Sequence, residues 1–538
     1  MTMETQNDFL KERRKFSPIT PEILGDFSAV LCTQGNKPEV SSEIKKLFPK
    51  SLNQGFVSLQ KGHCNHLYPL TVGIVFSGGQ APGGHNVVSG LFDAIKRIHL
   101  DSKVIGFLQG PDGIIKGEYR ELEKQEIAMY RNTGGFDLIG SGRTKIETKE
   151  QLERAAITVK ALALDGLVIV GGDDSNTNAA ILAEYFLQKS LTTKVIGVPK
   201  TIDGDLKNEY IESSFGFDTA CKVYGEVIGN IARDAISAKK YYHFIKLMGR
   251  SASHIALECA LQVQPTLTLI SEEIREKKYT LQRVIDELSR LIDQRAKAGK
   301  NYGIIVIPEG LIEFIPEINE LISLLNQIIA KHGGQASLEE RIEIVHRSMP
   351  SSLATIFASF PKEIQSQLLL DRDPHGNVQV SKIATEKLLI HLVSLQLQNR
   401  AKFVAVDHFF GYEGRCGYPS NFDATYCYAL GVFTALLIRD GFTGYMSCIK
   451  NLSQDPSQWE CFGLPLTTLL HLEERHGTRK PVIQKALVDL KGAPFQHFTQ
   501  NREKWALEDC FKFPSPIQFF GPSFITNSIS LTLKLEQK

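Results

Sequence analysis

The sequence predicts an α/β protein built from two three-layer domains that face one another across a cleft. Three observations carry this expectation. From Thr71 onward, short apolar runs end repeatedly in glycine-containing turns. Amphipathic helical stretches separate those runs, the pattern of parallel strands covered on both faces. The runs are also too many for one compact sheet, and 538 residues suffice for more than one core.

In chain order, residues 1–70 are polar and lack strand-turn-helix punctuation, so they read as a helical N-terminal extension. Their one suggestive cluster, His63-Cys64-Asn65-His66, is spaced too tightly for a tetrahedral zinc site and has no CxxC or HxxxH partner. Strands are predicted at Thr71–Phe76, Lys103–Phe107, Gly166–Val170 and Val195–Pro199 in a first domain, 71–240. A second domain, 241–450, takes strands at His243–Met248, Thr266–Ile270, Tyr302–Pro308 and Phe403–Val406. Within it, 311–400 is mostly helical and reads as an insertion or cap. Amphipathic runs at Ile315–Lys331 and Ser381–Leu397 flank the turn-rich Asp371-Arg372-Asp373-Pro374-His375-Gly376-Asn377. Residues 451–538, rich in aromatics and prolines from Phe511 to Phe524, read as a C-terminal extension packed on the body.

Composition narrows the function classes. Sixty-one basic against sixty acidic side chains leave a net charge of +1, so no global field draws in nucleic acid or an anionic membrane. Any anion site is therefore local. Nine cysteines, an odd number without CxxC pairs, argue against a disulfide framework and for a reducing cytoplasm. No apolar run approaches membrane-spanning length, and the N-terminus has no apolar signal core.

Chemistry concentrates at strand ends, where α/β enzymes keep their ligands. After Phe76 come Ser77-Gly78-Gly79-Gln80 and then the helical run Val87–Leu100. Bare backbone at a helix N-terminus offers N–H donors and a positive dipole end, a ready phosphate cradle. The turn fits neither GxGxxG nor GxxxxGK[ST], so a plain tight turn is the alternative there, and a nicotinamide-binding fold is discarded. Gly171-Gly172-Asp173-Asp174 precedes the helix Asn176–Leu187. One Asp is accounted for as an N-cap, but two adjacent carboxylates repel, and one is a candidate Mg²⁺ ligand shared with phosphate oxygens. Lys200-Thr201-Ile202-Asp203-Gly204-Asp205 joins a cation to two carboxylates. Phosphoryl transfer to an alcohol needs a carboxylate to take the hydroxyl proton and a cation to neutralise the leaving group; a salt-bridged turn is the plainer alternative. Arg250 in Met248-Gly249-Arg250 offers a bidentate phosphate clamp, and Glu309, Tyr412 and Arg415 also follow predicted strands.

Taken together, SGGQAPGGHN, GGDDSNTNAA, PKTIDGDL, KYYHFIKLMGRSASHIALECAL, IPEGLIEFIPEI, LLLDRDPHGNVQV and GYEGR resemble the phosphofructokinase family, specifically its long pyrophosphate-dependent form. The resemblance implies Rossmann-like domains and reversible phosphoryl transfer from pyrophosphate to fructose 6-phosphate. Carried over by residue, it implies that Gly79 contacts pyrophosphate, Asp173 binds Mg²⁺ and Asp203 is the base, with Thr201 and Asp205 beside it. It implies that Met248, Gly249, Arg250, Glu309, Tyr412 and Arg415 hold the sugar phosphate. A pair matching Lys240-Tyr241 is donated across a subunit interface in that family, which implies at least a homodimer.

Donor choice is expected to turn on Asp174 and Lys200, because ATP-dependent relatives carry small uncharged residues there. A carboxylate about 4 Å from a nucleotide α-phosphate repels it by roughly 4 kcal/mol at intermediate dielectric. Lys200 is expected to stabilise departing phosphate. The competing readings are an ATP-dependent 6-phosphofructokinase and a catalytically silent regulatory subunit; Asp174 with Lys200 argues against the first, and the intact turn of Lys200, Asp203 and Asp205 against the second. Cys416, next to Arg415, reads as an inert small residue rather than an oxidisable switch.

Overall fold

The computed structural model describes residues 8–64, 67–332, 337–372, 377–398, 400–475, 478–512 and 529–536. Asn65 and His66, the turn Asp373–Gly376 and most of the aromatic segment from Phe511 to Phe524 lie outside the described residues. The chain divides into two compact units. One gathers the described residues of Met1–Val223, Tyr412–Ala486 and Ile517–Gln537; the other gathers those of Tyr224–Gly411 and Leu487–Pro516.

The first unit holds a large mixed sheet. Its centre is parallel: Tyr445–Lys450, Lys194–Thr201, Gly166–Gly171, Thr71–Ser77 and Lys103–Phe107 lie side by side in that order. These strands are buried on both faces, which is why their sequences are continuous apolar runs. Antiparallel strands finish the edges: Glu460–Pro465, Val57–Lys61 and Val30–Gln34 on one side, Tyr119–Glu121 on the other. Residues 1–70 are thus not simply a helical extension. Val30–Gln34 and Val57–Lys61 pair with each other, and their alternating burial is that of an edge with one wet face. Residues 412–450 likewise belong to the first unit, because Tyr445 and Met446 pair with Ile196 and Gly197.

Thr71–Ser77 connects to Lys103–Phe107 on one side, and the chain then returns to Gly166–Gly171 on the other. That reversal creates a crevice at the carboxyl ends of two neighbouring strands, where open α/β sheets bind ligands. The register levels the three strand ends, with Ser77 opposite Gly171 and Gly171 opposite Pro199.

The helix Gly84–Ile98 after the glycine turn packs on Asn421–Arg439, backbone against backbone. A Cβ on Gly90 would fall 2.2 Å from Tyr428 O, and one on Gly431 would fall 2.2 Å from Val87 O. Helix Asn421–Arg439, with a mean hydropathy of 1.2, is long and apolar enough to cross a membrane, contrary to the sequence expectation, yet it is buried within its unit.

The second unit carries a parallel sheet in the order Leu267–Thr268, Gly303–Pro308, Tyr242–Leu247, Ala405–Phe410. The insertion 311–400 does not form a core of its own. Ile318, Leu321, Phe357, Ile364 and Leu389 share one cluster with Tyr242, Phe244, Ile305 and Ile307 of the sheet. It contains helices at Leu338–Ser348, Ser351–Ala358 and Lys362–Leu370 in addition to the two amphipathic runs. Lys246 of the central strand reaches Glu386 at 3.1 Å, a buried ion pair tying the insertion to the sheet.

Replacing Gly431 by Val forces a side chain into the Val87 carbonyl. We expect a destabilisation of about 1–3 kcal/mol or more, visible as a lowered thermal unfolding midpoint, with Gly431→Ala intermediate.

Candidate active site

Three strand-end turns of the first unit converge. Gly78, at φ +91°, turns the chain after Ser77 in a conformation that favours glycine. The Gly78 N–H donates to Gly142 O at 2.8 Å, because Ser141–Gly142 makes a short parallel pairing with Phe76 and Ser77. This pairing delivers Arg143 to the turn. A Cβ on Gly79 would stand 3.9 Å from both Arg143 Nη2 and Arg415 Nη2, so two guanidinium groups border Gly79. Arg415 also lies over the exposed Tyr412 ring, 4.9 Å from its centroid.

The second turn opens the helix Asp173–Gln188. Gly172 is the N-cap and no side chain caps the helix, so the N-cap expectation for an Asp is not met. Both Asp173 and Asp174 occupy the first turn, where a negative charge is favoured by the helix dipole. Asn176 fastens this turn to the next strand, donating to Gly171 O, Gly172 O and Val198 O at 2.6, 2.9 and 3.4 Å. Ser175 Oγ donates to Ser77 Oγ at 2.8 Å, joining it to the glycine turn.

The third turn carries Lys200, which is 6% exposed and donates to Gly79 O at 2.6 Å. Burial pulls its ammonium down to about 8, while Asp203, Asp173 and Asp205 pull it up and Arg415 opposes them. Gly204 takes φ +71°, which lets the chain reverse between Asp203 and Asp205. The Thr201 hydroxyl accepts from the Asp203 N–H at 3.0 Å, shaping the turn from inside.

Asp205 is 5% exposed and meets Lys485 at 3.4 Å; Lys485 also lies 3.8 Å from Asp173. Burial raises the Asp173 carboxyl above the usual range, Lys485 opposes this, and Asp174 and Asp205 add to it. Asp174 pairs with Lys145 at 3.0 Å, both about half exposed. Its negative charge is therefore partly offset by a neighbouring cation, which the sequence did not reveal.

Asp173 and Asp205 supply hard oxygen donors beside one another. Among the described residues no group of three or more His, Cys, Asp or Glu forms a protein-only cage. An incomplete carboxylate set suits a divalent cation shared with phosphate oxygens. Cys416 donates from Sγ to Gln80 Oε1, and burial pushes its thiol up, so it stands as a thiol rather than a reactive thiolate.

In the second unit, Leu247 is level with Pro308 and Phe410, so Met248-Gly249-Arg250 and Glu309 emerge side by side. The buried Glu309 accepts from the Gly249 N–H at 3.1 Å, and Gly249 needs its φ of +125° to present that N–H. Arg250 lies 3.6 Å from Glu313. Lys240 and Tyr241 are exposed just before the central strand, Tyr241 at φ +66° with its ring edge-on to His243. Sequence reasoning missed Arg143, Lys145 and Lys485. The glycine-rich Gly140-Ser141-Gly142-Arg143 was a usable signal for Arg143, whereas nothing local marked Lys485.

A glycine anion cradle at a sheet's switch point, a buried lysine and clustered carboxylates define an α/β enzyme that handles phosphoryl groups. The family model described as Phosphofructokinase matches residues 71–438, and the chain belongs to that family. It is 50% identical over 552 residues to the pyrophosphate–fructose 6-phosphate 1-phosphotransferase of Treponema pallidum, covering 98% of this chain and 96% of the relative. It is 51% identical over 527 residues to subunit beta of the Solanum tuberosum enzyme of that name, covering 96% and 91%. Among solved structures, the pyrophosphate-dependent phosphofructokinase of Marinobacter aquaeolei superposes with a TM-score of 0.54 at 16% identity, over 82% of this chain and 93% of that one, a likeness of fold.

The Lys200 environment is directly testable. In a side-chain NMR titration we expect its ammonium to lose its proton near pH 8 instead of the ordinary 10.5. In Asp203→Asn the midpoint falls further, because a carboxylate that favours the charged form is gone.

Proposed function

We propose that this chain catalyses reversible transfer of a phosphoryl group from pyrophosphate to the 1-hydroxyl of fructose 6-phosphate, giving fructose 1,6-bisphosphate and phosphate. The observation that carries the reading is Lys200, buried among Asp203, Asp205 and Asp173 and bonded to Gly79, in a chain that matches such enzymes over nearly its whole length.

In this reading pyrophosphate lies on the backbone of Gly79, with Arg143 and Arg415 beside it. Asp203 takes the proton from the sugar hydroxyl as that oxygen attacks phosphorus. The bond from phosphorus to the bridging oxygen breaks, and Lys200 balances the charge on the departing phosphate. Asp173, with Asp205 beside it, would hold Mg²⁺, which would supply charge neutralisation on the phosphate oxygens. Met248, Gly249, Arg250 and Glu309 are assigned to fructose 6-phosphate, as are Tyr412 and Arg415. Lys240 and Tyr241 are assigned to the partner's sugar phosphate in a homodimer. Cytoplasmic placement is part of the proposal and is supported by nine free thiols.

Asp174 with Lys200 favours pyrophosphate over ATP, although the pairing of Asp174 with Lys145 reduces the net repulsion a nucleotide would meet. The intact turn argues against a silent regulatory subunit.

The test is formation of fructose 1,6-bisphosphate with Mg²⁺ and either donor. We expect turnover with pyrophosphate and not with ATP, a loss of about 10²-fold or more in kcat for Asp203→Ser, and some ATP use by Asp174→Gly. Turnover of the wild type with ATP alone would overturn the donor assignment. Because Lys200 must be charged to serve the leaving group and the free enzyme loses that proton near pH 8, kcat/KM should fall as pH rises through that value.

A further inference from the structure

Lys485 approaches the reaction centre from the C-terminal part of the chain. It follows the hairpin of Leu470–Arg475 and Thr478–Ile483, and the backbone on either side of it is fixed. The Ile483 N–H donates to Thr177 Oγ1 at 3.2 Å on the helix that begins with Asp173, and the Ala486 N–H donates to Asp205 O at 2.7 Å. Between those anchors the side chain runs to Oδ2 of both Asp173 and Asp205, at 3.8 and 3.4 Å. The Asp205 side chain is enclosed at 7% exposure and that of Asp173 is 25% exposed, whereas the Lys485 side chain is 39% exposed. The flexible four-carbon stem lets the ammonium swing away without moving the backbone, a freedom the short aspartate side chains lack.

We infer that Lys485 is a positioning residue that acts as a resident counter-cation, occupying Asp173 and Asp205 in the free enzyme and competing with the divalent cation for the same oxygens. It keeps the two carboxylates from repelling each other when no metal is present, and it yields them when a metal arrives with the donor. This couples metal binding to substrate binding, because displacement of Lys485 is favourable where a phosphate anion is at hand to receive the freed ammonium. The inference rests on the proposed assignment of Asp173 as metal ligand.

The test is Mn²⁺ binding to the ligand-free enzyme, read from the electron paramagnetic resonance signal of unbound Mn²⁺, for wild type, Lys485→Met, Lys485→Arg and Asp173→Asn. We expect Lys485→Met to bind Mn²⁺ about tenfold tighter, equivalent to ~1.4 kcal/mol, and Lys485→Arg to stay near wild type. In steady state Lys485→Met should raise KM for pyrophosphate more than it lowers kcat. A purely structural lysine would give the opposite sign, since a damaged site binds metal more weakly. Unchanged or weaker Mn²⁺ binding by Lys485→Met, with binding lost in Asp173→Asn, would overturn the inference and leave the proposed function standing. Undiminished binding in Asp173→Asn would overturn the metal assignment, and the inference with it.

Discussion

The hydrogen bond from the Lys200 ammonium to the Gly79 carbonyl is the interaction on which the rest of the first unit's site depends. A buried ammonium is costly unless its donors are used and opposite charge is near. The Gly79 carbonyl uses one donor, and Asp203, Asp173 and Asp205 supply the charge. The glycine turn, the Asp173 turn and the Lys200 turn therefore hold one another in place. Removing the lysine would leave clustered carboxylates short of a counter-charge, and removing the carboxylates would leave an ammonium with little reason to remain protonated.

That bond is possible only because the strands are in register. Ser77, Gly171 and Pro199 lie level across three parallel strands, so the turns that follow them leave the sheet at one height. The chain reversal between the first two opens the crevice, and glycine suits the turn there because Gly78 takes φ +91°, a conformation that residues with a side chain rarely adopt. The helix that follows Gly83 sits against Asn421–Arg439 through Gly90 and Gly431, with no side chains between the backbones. Packing far from the charges thus sets the direction in which the cradle faces.

Much of this was legible in the sequence, for a physical reason. Strands buried on both faces must be apolar throughout, so Thr71–Ser77, Gly166–Gly171 and Gly303–Pro308 announce themselves, and so do the turns at their ends. Edge strands need bury only one face. Val30–Gln34 and Ala405–Phe410 at sheet edges, and Val57–Lys61 next to an edge, carry polar residues at exposed positions and were missed or displaced. Residues 311–400 were read as an insertion or cap from their amphipathic helices; the structure shows the apolar faces of those helices continuing the sheet's own core. Lys145 and Lys485 were illegible for a different reason. Neither sits in a motif that marks it, and only strand pairing or a distant hairpin brings it to the carboxylates.

The charges so assembled bear on how the site meets a donor. Asp173, Asp174, Asp203 and Asp205 are met by Lys145, Lys200, Lys485, Arg143 and Arg415, so the named carboxylates and cations are balanced to within one charge. Such a cluster is stable without ligand, which keeps the turns ordered, but it offers little net attraction to a polyanion. A donor gains most when it brings a divalent cation that takes over the carboxylates and frees the cations already there for its phosphate oxygens. Lys485 is the group best suited to that exchange, because it is a long, partly exposed side chain whose backbone is anchored on both sides. Lys200, enclosed and bonded to Gly79, is suited to the opposite task of staying in place while charge builds on the leaving oxygen.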